Sequence, residues 1–552
     1  MGKKRLWLGM LVMALVFGMM VVGCPQPDKT NDDDDETELP ENSKSSDADI
    51  LTLKIGDVAG AINGTEIEVR VPLSSDFNVE AVSPVITLSA RATVSPDTAI
   101  AADFSKPVEY TVTAEDGTTE KKYTVSIVQI AVVTDGNLKA VLDKISKSGS
   151  YDIEMASSNI GFAPYTLPAG SYGKSKDITL HGSDTARTIG LSSTQKGYLF
   201  TVGQYITLTL KDITLQGISD NNTALIKVGQ FGNLVLENGS KISGNTNTST
   251  SALSDDGGGV FSSGTITING GEISGNSSQW GGGIYRDLFG SVILDSGKIS
   301  NNTATTNGGG VNGNITVNGG EISNNTAGLF GGGVYGDVTI TGGAIKNNTV
   351  SGSWSGNLDR SGGGIYGKLI MSGGTIEGNS AVSTRTNYPS RGGSVYITGL
   401  NSVLSGGTIT NNTADQGGGI YISSSGSLMM SKDAIITPST STVCLGFYKD
   451  TTGTTTTIRN GSIGITESLS GSGIIANLDI SSYSYSSAPS LAFSEMIGKP
   501  ILTGNIDNNV ISRFVLGKYQ YISGDVLQNE ELATKDGSGY SIAANGTLLK
   551  NN

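Results

Sequence analysis

Apolar and polar residues alternate in short runs through the middle of the chain. Ile266 and Ile268 are separated by a single Thr, and the same spacing returns at Val338 and Ile340. Alternation of β-branched residues with period two is typical of half-buried strands, whereas an amphipathic helix would show a period of about 3.6 residues. The pattern therefore predicts an all-β chain built from many short strands.

Two short phrases separate these strands at regular intervals. The first reads GGEISGN at 270–276, GGEISNN at 319–325, GGAIKNN at 342–348, GGTIEGN at 373–379 and GGTITNN at 406–412. The second is GGGIY or a close variant, with copies that begin at 257, 281, 308, 331, 362, 392 and 417. Such self-similarity indicates a solenoid, in which each unit stacks on the next. Strands stacked in one sense predict a right-handed parallel β-helix over residues 151–515, with clear repeats over 239–425.

Glycine and asparagine occupy the predicted corners between strands. Glycine accepts positive φ angles without steric penalty, and asparagine is the next most tolerant residue. The last asparagine of the first phrase returns once per repeat, which predicts a ladder of amide hydrogen bonds from one turn to the next. The members of this ladder are Asn276, Asn302, Asn325, Asn348, Asn379 and Asn412.

The repeats resemble those of the chlamydial polymorphic membrane proteins, which are surface adhesins predicted to form β-helices. The resemblance covers about residues 239–425 and rests on the Gly-Gly-x-Ile phrase, most closely at Gly342 to Ile345. It implies a β-helical fold and an adhesive or display role at a cell surface.

The N-terminus has the form of a bacterial export signal. A basic stretch at residues 3–5 precedes an apolar run at residues 6–20, and the sequence VVGC that ends at Cys24 resembles a lipobox. This resemblance implies that residues 1–24 are a signal peptide and that a lipid on Cys24 anchors the protein to the bacterial envelope, at the outer membrane or cell surface. An ordinary signal peptide or a membrane-spanning anchor is the alternative.

Two units follow the signal. Residues 25–49 are rich in acidic side chains, which repel one another and bury no apolar area, so we expect a disordered tether. Residues 50–131 contain several strand-like stretches with polar turns, which indicates a small β-sandwich. The segment DFSKPVEYTVTAEDGT, which begins at Asp103, resembles the Ig-like or cadherin-like modules of bacterial surface lipoproteins, and this implies a spacer role.

The two ends of the solenoid need covers, because an open end leaves sheet edges and core exposed. Residues 132–150 contain the one clear helix candidate, with Asp135 as N-cap, an apolar stripe and a stop at Gly149. We expect this helix to cap the first turn. Residues 516–552 are predicted to form the C-terminal cap or tail.

Composition excludes several classes of function. The chain carries a formal net charge of −14, whereas a nucleic-acid-binding protein would show a basic footprint, so nucleic acid is not expected as a partner. His181 is the only histidine, which excludes His-based catalytic triads and multi-histidine metal sites. No metal and no cofactor are predicted.

A parallel β-helix can also carry a polysaccharide lyase or a glycosidase, which works through carboxylates held at a set separation. Acidic residues are scarce across the repeats, and the position of Glu272 and Glu321 holds Lys298 and Ala344 in other copies. That position is variable and solvated. We therefore expect a non-enzymatic adhesin or display protein, and a polysaccharide-active enzyme is the alternative.

The first candidate for partner contact is an aromatic column. In the second phrase Ile or Val is followed by an aromatic residue, and neighbouring residues of a strand point to opposite sides. If the aliphatic residues face the core, the aromatic residues face outwards; the alternative is a ladder that only stabilises the sheet. The candidates are Tyr285, Tyr335, Tyr366, Tyr396 and Tyr421.

The second candidate is a pair of long loops in adjacent repeats, Thr349–Ser361 and Ser380–Arg391. Insertions at one repeat position project from one face, often the binding face. The loops hold residue types that are enriched at binding hot spots: Trp354, Arg360, Arg385, Tyr388 and Arg391. A host protein or a glycan is the expected partner, and sequence drift at a tolerant loop is the alternative.

The lipid anchor is directly testable. Replacing Cys24 with Ala removes the thiol that would carry the lipid, so we expect the protein to lose fatty-acid label and to be released or misprocessed. Metabolic labelling with a fatty acid and fractionation of the cells would measure this. Label that still enters the C24A variant would contradict the lipobox interpretation.

Overall fold

The computed structural model describes residues 44–134, 136–250, 256–352, 359–383, 388–432 and 435–436, together with the segments 443–450, 457–460, 462–469, 476–483, 502–504, 514–523, 526–531, 540–543 and 547–550. Cys24, Trp354 and Arg385 lie outside these residues, as does most of the predicted tether. Within the described part, no helix is both long and apolar enough to cross a membrane.

The N-terminal unit consists of two small sheets around a shared core. One sheet has the order Val58–Ala59, Ile50–Ile55, Val85–Leu88, and the other contains Ala61–Asn63, Glu66–Pro72, Glu120–Val133, Val108–Thr113 and Thr93–Ser95. Alternate residues of these strands are buried, as the period-two pattern predicted; Tyr110 and Val125 are fully enclosed. The prediction of a small β-sandwich is confirmed.

The strand Glu120–Val133 continues from this unit into the solenoid. Its first half pairs with Val108–Thr113 and Glu66–Pro72, and its second half pairs in parallel with Gly149–Met155, the first strand of the first turn. The predicted boundary at residue 131 therefore falls within one continuous strand. Side chains also join the two units, because Lys174 contacts Glu80 with a nitrogen–oxygen distance of 3.0 Å.

One short helix, Leu138–Leu142, covers the start of the solenoid core. Leu138, Val141 and Leu142 are buried and belong to the core of the solenoid, as the predicted stripe requires. The helix is shorter than predicted. Asn137 takes the N-cap position but accepts the Thr134 N–H with its side chain, so the amide does not cap the helix. Asp135, the predicted N-cap, lies outside the described residues.

From Gly149 onwards the described residues form a parallel β-solenoid, in which each turn contains up to four short strands. We name the four strand positions faces 1 to 4. Face 1 contains Gly149–Met155, Lys176–Gly182, Ile206–Lys211, Asn233–Glu237, the first half of Thr265–Ser274, the first half of Ser291–Ser300, Ile315–Val317, Val338–Ile340, Leu369–Met371, Ser402–Leu404, Ser427–Lys432, Ser462–Leu469 and Leu502–Gly504. Face 2 contains Asn159–Phe162, Arg187–Leu191, Ile213–Gln216, Lys241–Ser243, the second halves of Thr265–Ser274 and Ser291–Ser300, Glu321–Ser323, Ala344–Lys346, Thr375–Glu377, Thr408–Thr410 and Ile435–Ile436.

Faces 3 and 4 complete each turn. Face 3 contains Ser277–Trp280, Thr303–Asn307, Thr326–Ala327, Thr349–Val350 and Ser380–Ala381. Face 4 contains Tyr165–Thr166, Phe200–Val202, Ile226–Val228, Val260–Ser262, Ile284–Arg286, Val311–Asn312, Val334–Tyr335, Ile365–Tyr366, Val395–Ile397, Ile420–Ile422, Val443–Asp450, Ala476–Tyr483 and Phe514–Ser523. Antiparallel strand pairs are described towards the C-terminus: Thr457–Asn460 and Val526–Glu531 extend face 4, and Tyr540–Ile542 pairs with Leu548–Lys550.

Like residues stack on like residues inside the solenoid. On face 2, Ile322 pairs with Ile345 and Ile345 with Ile376, and all three side chains are fully buried. The inward residues of faces 1, 2 and 4 form one continuous hydrophobic core. Burial of this apolar area is the main stabilising term, because each buried aliphatic side chain contributes roughly 1.5–3 kcal/mol.

Each glycine of the GGG phrase meets a different constraint. Gly331 has a φ of +63°, which bends the chain between faces 3 and 4. A Cβ atom on Gly332 would lie 2.3 Å from the carbonyl oxygen of Gly363 in the next turn, and one on Gly333 would lie 3.1 Å from Nδ2 of Asn348. The phrase therefore allows neighbouring turns and the asparagine ladder to approach closely.

The asparagine ladder is present, and its amides are buried. The Asn325 backbone N–H and Nδ2 both donate to Oδ1 of Asn348, at 3.0 and 2.9 Å, and Nδ2 also donates to the carbonyl of Ile299 at 2.9 Å. Asn302 donates to Oδ1 of Asn325 in the same way. The residue before each ladder asparagine adopts a positive φ, +54° at Asn347, which explains why only Gly or Asn stands there.

Replacing Asn325 with Leu should destabilise the fold. The change leaves the Asn302 N–H and the Ile299 carbonyl buried without their partners, at about 1–3 kcal/mol each. We expect a clear drop in the midpoint of chemical denaturation. Asn318→Leu is the control, because Asn318 is exposed and its amide bonds to the side chain of Asp295. Equal midpoints for the two variants would show that the ladder does not stabilise the solenoid.

Candidate functional site

The aromatic column runs along face 4 as a stack of rings. Ring centroids are 5.3 Å apart for Tyr335 and Tyr366, 4.9 Å for Tyr366 and Tyr396, and 5.0 Å for Tyr396 and Tyr421, with interplanar angles of 9–15°. The preceding aliphatic residues are fully buried, so the rings lie on the outer side as expected. Most of the rings are half-buried, and Tyr421 is the most enclosed, at 3% exposure.

The column has two parts separated by one turn. Phe261 and Tyr285 stack at 5.8 Å with an interplanar angle of 5°. Asn312 then occupies the equivalent position, pairing in register with Tyr285 before it and Tyr335 after it. The Tyr335 ring therefore has an aromatic neighbour in the column on one side and an amide on the other.

A second column stands beside the first, at the residue before each GGG phrase. Bridges connect Asn307 to Phe330, Phe330 to Ser361, Ser361 to Arg391 and Arg391 to Gln416. This second column is close to the tyrosines: the ring centroids of Phe330 and Tyr366 are 4.7 Å apart. Sequence reasoning missed this column, although its fixed place before the second phrase was a usable signal. We call the two columns together the aromatic face.

Arg360 and Arg391, the two arginines of the long loops that the structure describes, are buried within the protein. Arg360 is 1% exposed, and its guanidinium donates to the carbonyl of Gly352 from Nε at 3.2 Å and from Nη2 at 2.7 Å. Arg391 is 4% exposed; it forms an ion pair with Asp359, and its Nε donates to Oε1 of Gln416 at 2.8 Å. Both side chains therefore help to hold the long loops in place.

The arrangement joins the loops to the aromatic face. The guanidinium carbon of Arg391 lies 5.4 Å from the ring centroid of Tyr421, within the range of a cation–π contact. At the other end of the column, Nζ of Lys227 lies 5.7 Å from the ring of Phe261. Tyr388 is half-buried. Trp354 and Arg385, the remaining loop candidates, lie outside the described residues and stay predictions.

Burial sets the electrostatics of this face. Desolvation raises the pKa of the Tyr285 phenol above its ordinary value, and the carboxylates of Asp256 and Asp287 add to the effect. Tyr285 therefore presents a neutral hydroxyl group, which both donates and accepts hydrogen bonds. In the described part of the chain, no group of three or more His, Cys, Asp or Glu residues is placed to hold a metal ion.

Comparison with known proteins gives two findings. Residues 50–127 match the family model described as "SGBP, N-terminal". A solved structure from Bacteroides thetaiotaomicron VPI-5482, described as a candidate glycoside hydrolase, is 33% identical over 17% of this chain and 28% of that chain, with a TM-score of 0.15. No curated protein matches. The family match and the solenoid are consistent with a surface protein that contains a β-helix, but they do not support the resemblance to the chlamydial polymorphic membrane proteins.

The buried position of Arg391 predicts a structural effect. Replacing it with Ala leaves the Asp359 carboxylate largely buried without its ion-pair partner, which costs about 3 kcal/mol. We expect a lower midpoint of chemical denaturation without any ligand present. Arg91→Ala is the control, since Arg91 is mostly exposed in its pair with Glu115 and such pairs contribute under about 1 kcal/mol. Unchanged stability of R391A would favour the hypothesis that Arg391 is held for a partner.

Proposed function

We propose that this protein is a cell-surface glycan-binding protein that holds its ligand without cleaving it, and that the aromatic face is the contact surface. The observation that carries the proposal is the array of Tyr335, Tyr366, Tyr396 and Tyr421, which are stacked at four successive turns of the solenoid. A linear polymer lying along the solenoid axis meets an equivalent side chain at each step of about 4.8 Å.

The chemistry of the face suits sugars. Stacking covers most ring faces, so a ligand would meet ring edges, as at Tyr335, which is half-buried. In the second column the half-buried amide of Asn307 stands beside them, whereas Ser361 and Gln416 are buried. Because stacking already holds the rings in place, little side-chain entropy is lost when a ligand binds. A smaller entropic cost raises the affinity for a given set of contacts.

The composition of the face favours binding over cleavage. From residue 227 to residue 421 the outward column of face 4 holds Lys227, Phe261, Tyr285, Asn312, Tyr335, Tyr366, Tyr396 and Tyr421. Glycoside hydrolysis normally uses two carboxylates at a set separation, and this column carries none. Asp359, beside it, is held in the ion pair with Arg391.

The family match supports the location and the ligand class. SGBP denotes surface glycan-binding proteins, and the matched residues 50–127 form the N-terminal sandwich. In this proposal the sandwich is a spacer, Cys24 carries the lipid, and residues 25–49 lift the solenoid off the membrane. The solenoid lies outside the match, so its role is argued from its own geometry.

Binding to a panel of polysaccharides would test the proposal, measured by affinity electrophoresis and then by calorimetry. Tyr335→Phe keeps the stack and removes one hydroxyl, and Tyr335→Ala also breaks the stack. We expect Y335A to weaken binding by at least about tenfold, in the range of an aromatic hot spot, and Y335F to have a smaller effect. Tyr172→Ala is the control, because Tyr172 is 88% exposed outside the column.

Three results would contradict the proposal. If Y335A melts at a lower temperature but binds as the wild type does, the column only stabilises the sheet. If purified protein produces new reducing ends from a bound polysaccharide, the protein is an enzyme. If the protein binds a host protein but no glycan, it is an adhesin for a protein partner.

A further inference from the structure

The corner between face 4 and face 1 differs in length from turn to turn, and the shorter corners form a recess between the longer ones. Three successive turns cross it with two residues each: Gly313-Asn314, Gly336-Asp337 and Gly367-Lys368. The turn before them uses residues 287–290, and the turn after them uses residues 398–401. Two four-residue loops therefore border three tight corners, and the surface between the loops is lower than the loops themselves.

A groove of about 280 Å³ occupies this recess and extends towards the first loop. It is lined by Arg286, Gly290, Ser291, Val292, Asn314, Ile315, Thr316, Asp337, Val338, Thr339, Lys368 and Ile370. It reaches across four turns, from Ser291 to Ile370, or roughly 14 Å at the spacing of neighbouring strands. Its volume is near the lower end of the range for ligand sites, about 300 Å³ upwards.

The polar groups at the centre of the groove are held by the backbone. Oδ1 of Asn314 accepts the backbone N–H of Asp337 at 2.9 Å, and Oδ1 of Asp337 accepts the backbone N–H of Lys368 at 3.0 Å. Each side chain is thus fixed by the next turn. The amide nitrogen of Asn314 and the second carboxylate oxygen of Asp337 remain for a ligand, as a donor and an acceptor.

The charge of the groove is opposite to that of the whole chain. Arg286 and Lys368 bring two positive charges against the one carboxylate of Asp337, in a protein of net charge −14. Nε of Arg286 donates to the Gly290 carbonyl at 2.6 Å, which fixes the bordering loop and leaves the guanidinium charge beside the groove. Among the described residues, Lys368 forms no ion pair, so its ammonium group is available.

Exposed apolar side chains stand on the bordering loops. Leu288 and Phe289 are 84% and 72% exposed on the first loop, and Leu400 is 64% exposed on the second. Ile370, within the groove, is 38% exposed. An aromatic ring next to fixed hydrogen-bonding groups offers the two kinds of contact that a sugar ring accepts, through its C–H faces and its hydroxyls.

We propose that this groove is a separate binding site for a short segment of an acidic glycan. Lys368, with the nearby Arg286, receives the carboxylate of a uronic acid, and Asp337 and Asn314 bind sugar hydroxyls. Phe289 covers the apolar side of a sugar ring. The site lies around the corner from the aromatic face, and the proposal does not depend on glycan binding there.

The test compares an oligogalacturonate with the same oligosaccharide after reduction of its carboxyl groups, by calorimetry on the full chain. We expect the acidic form to bind and the neutral form to bind at least about tenfold more weakly, because the reduced sugar no longer offers a charged acceptor to Lys368. Added salt should weaken binding of the acidic form only. Lys368→Ala should reduce its affinity to that of the neutral form.

Lys298→Ala is the matched control, because Lys298 is exposed on face 2 and its loss changes the net charge equally. Equal binding of the acidic and neutral forms, equal affinities of K368A and K298A, or no binding of oligogalacturonate would each overturn the proposal. Tyr335→Ala separates the two sites. A loss of binding in Y335A with none in K368A would assign the glycan to the aromatic face and reject the groove.

Discussion

The buried asparagine ladder is the interaction on which the geometry of the solenoid depends. Each interior amide, such as that of Asn325, spans three turns: it donates to a carbonyl of the turn before and to an amide of the turn after. A polar group this deeply buried is tolerated only when its hydrogen bonds are made. A shift of one turn by one residue would break these bonds and turn the isoleucine column outwards, so the ladder keeps the strands in register.

Register in turn determines what appears on the surface. Because Tyr335, Tyr366, Tyr396 and Tyr421 occupy equivalent positions, keeping the core in register aligns the rings at about 5 Å. The same alignment puts Asn314, Asp337 and Lys368 in one row at another corner. The core and the asparagine ladder keep the turns at a constant spacing. The corners bury little apolar area, so they can vary in length and in residue type. The proposed groove lies on such a corner, whereas the tyrosines of the aromatic face lie on the strands of face 4.

The fate of the loop arginines shows where reasoning from residue type fails. Arg360 and Arg391 were selected because arginine is frequent at binding hot spots and rare in this chain. The structure buries both, against Gly352 and against Asp359 and Gln416. A long insertion has to be fastened to the solenoid, and a buried arginine with several donors does this well. The partners of Arg391, Asp359 and Gln416, lie more than twenty positions away from it in the sequence, so its role could not be inferred from the neighbouring residues.

The class of fold, the strand pattern, the glycine corners and most of the ladder could be predicted from the amino-acid sequence, because these features repeat and each follows from a local period or a backbone angle. It also indicated the outward side of the aromatic residues. Asn245, an early neighbour of the ladder, was overlooked although it follows the phrase Ile-Ser-Gly. Three features became visible only in the folded chain. A turn contains up to four strands, the aromatic column is interrupted at Asn312, and three short corners between two longer loops leave a groove. These depend on contacts between turns, which the local pattern of one turn does not contain.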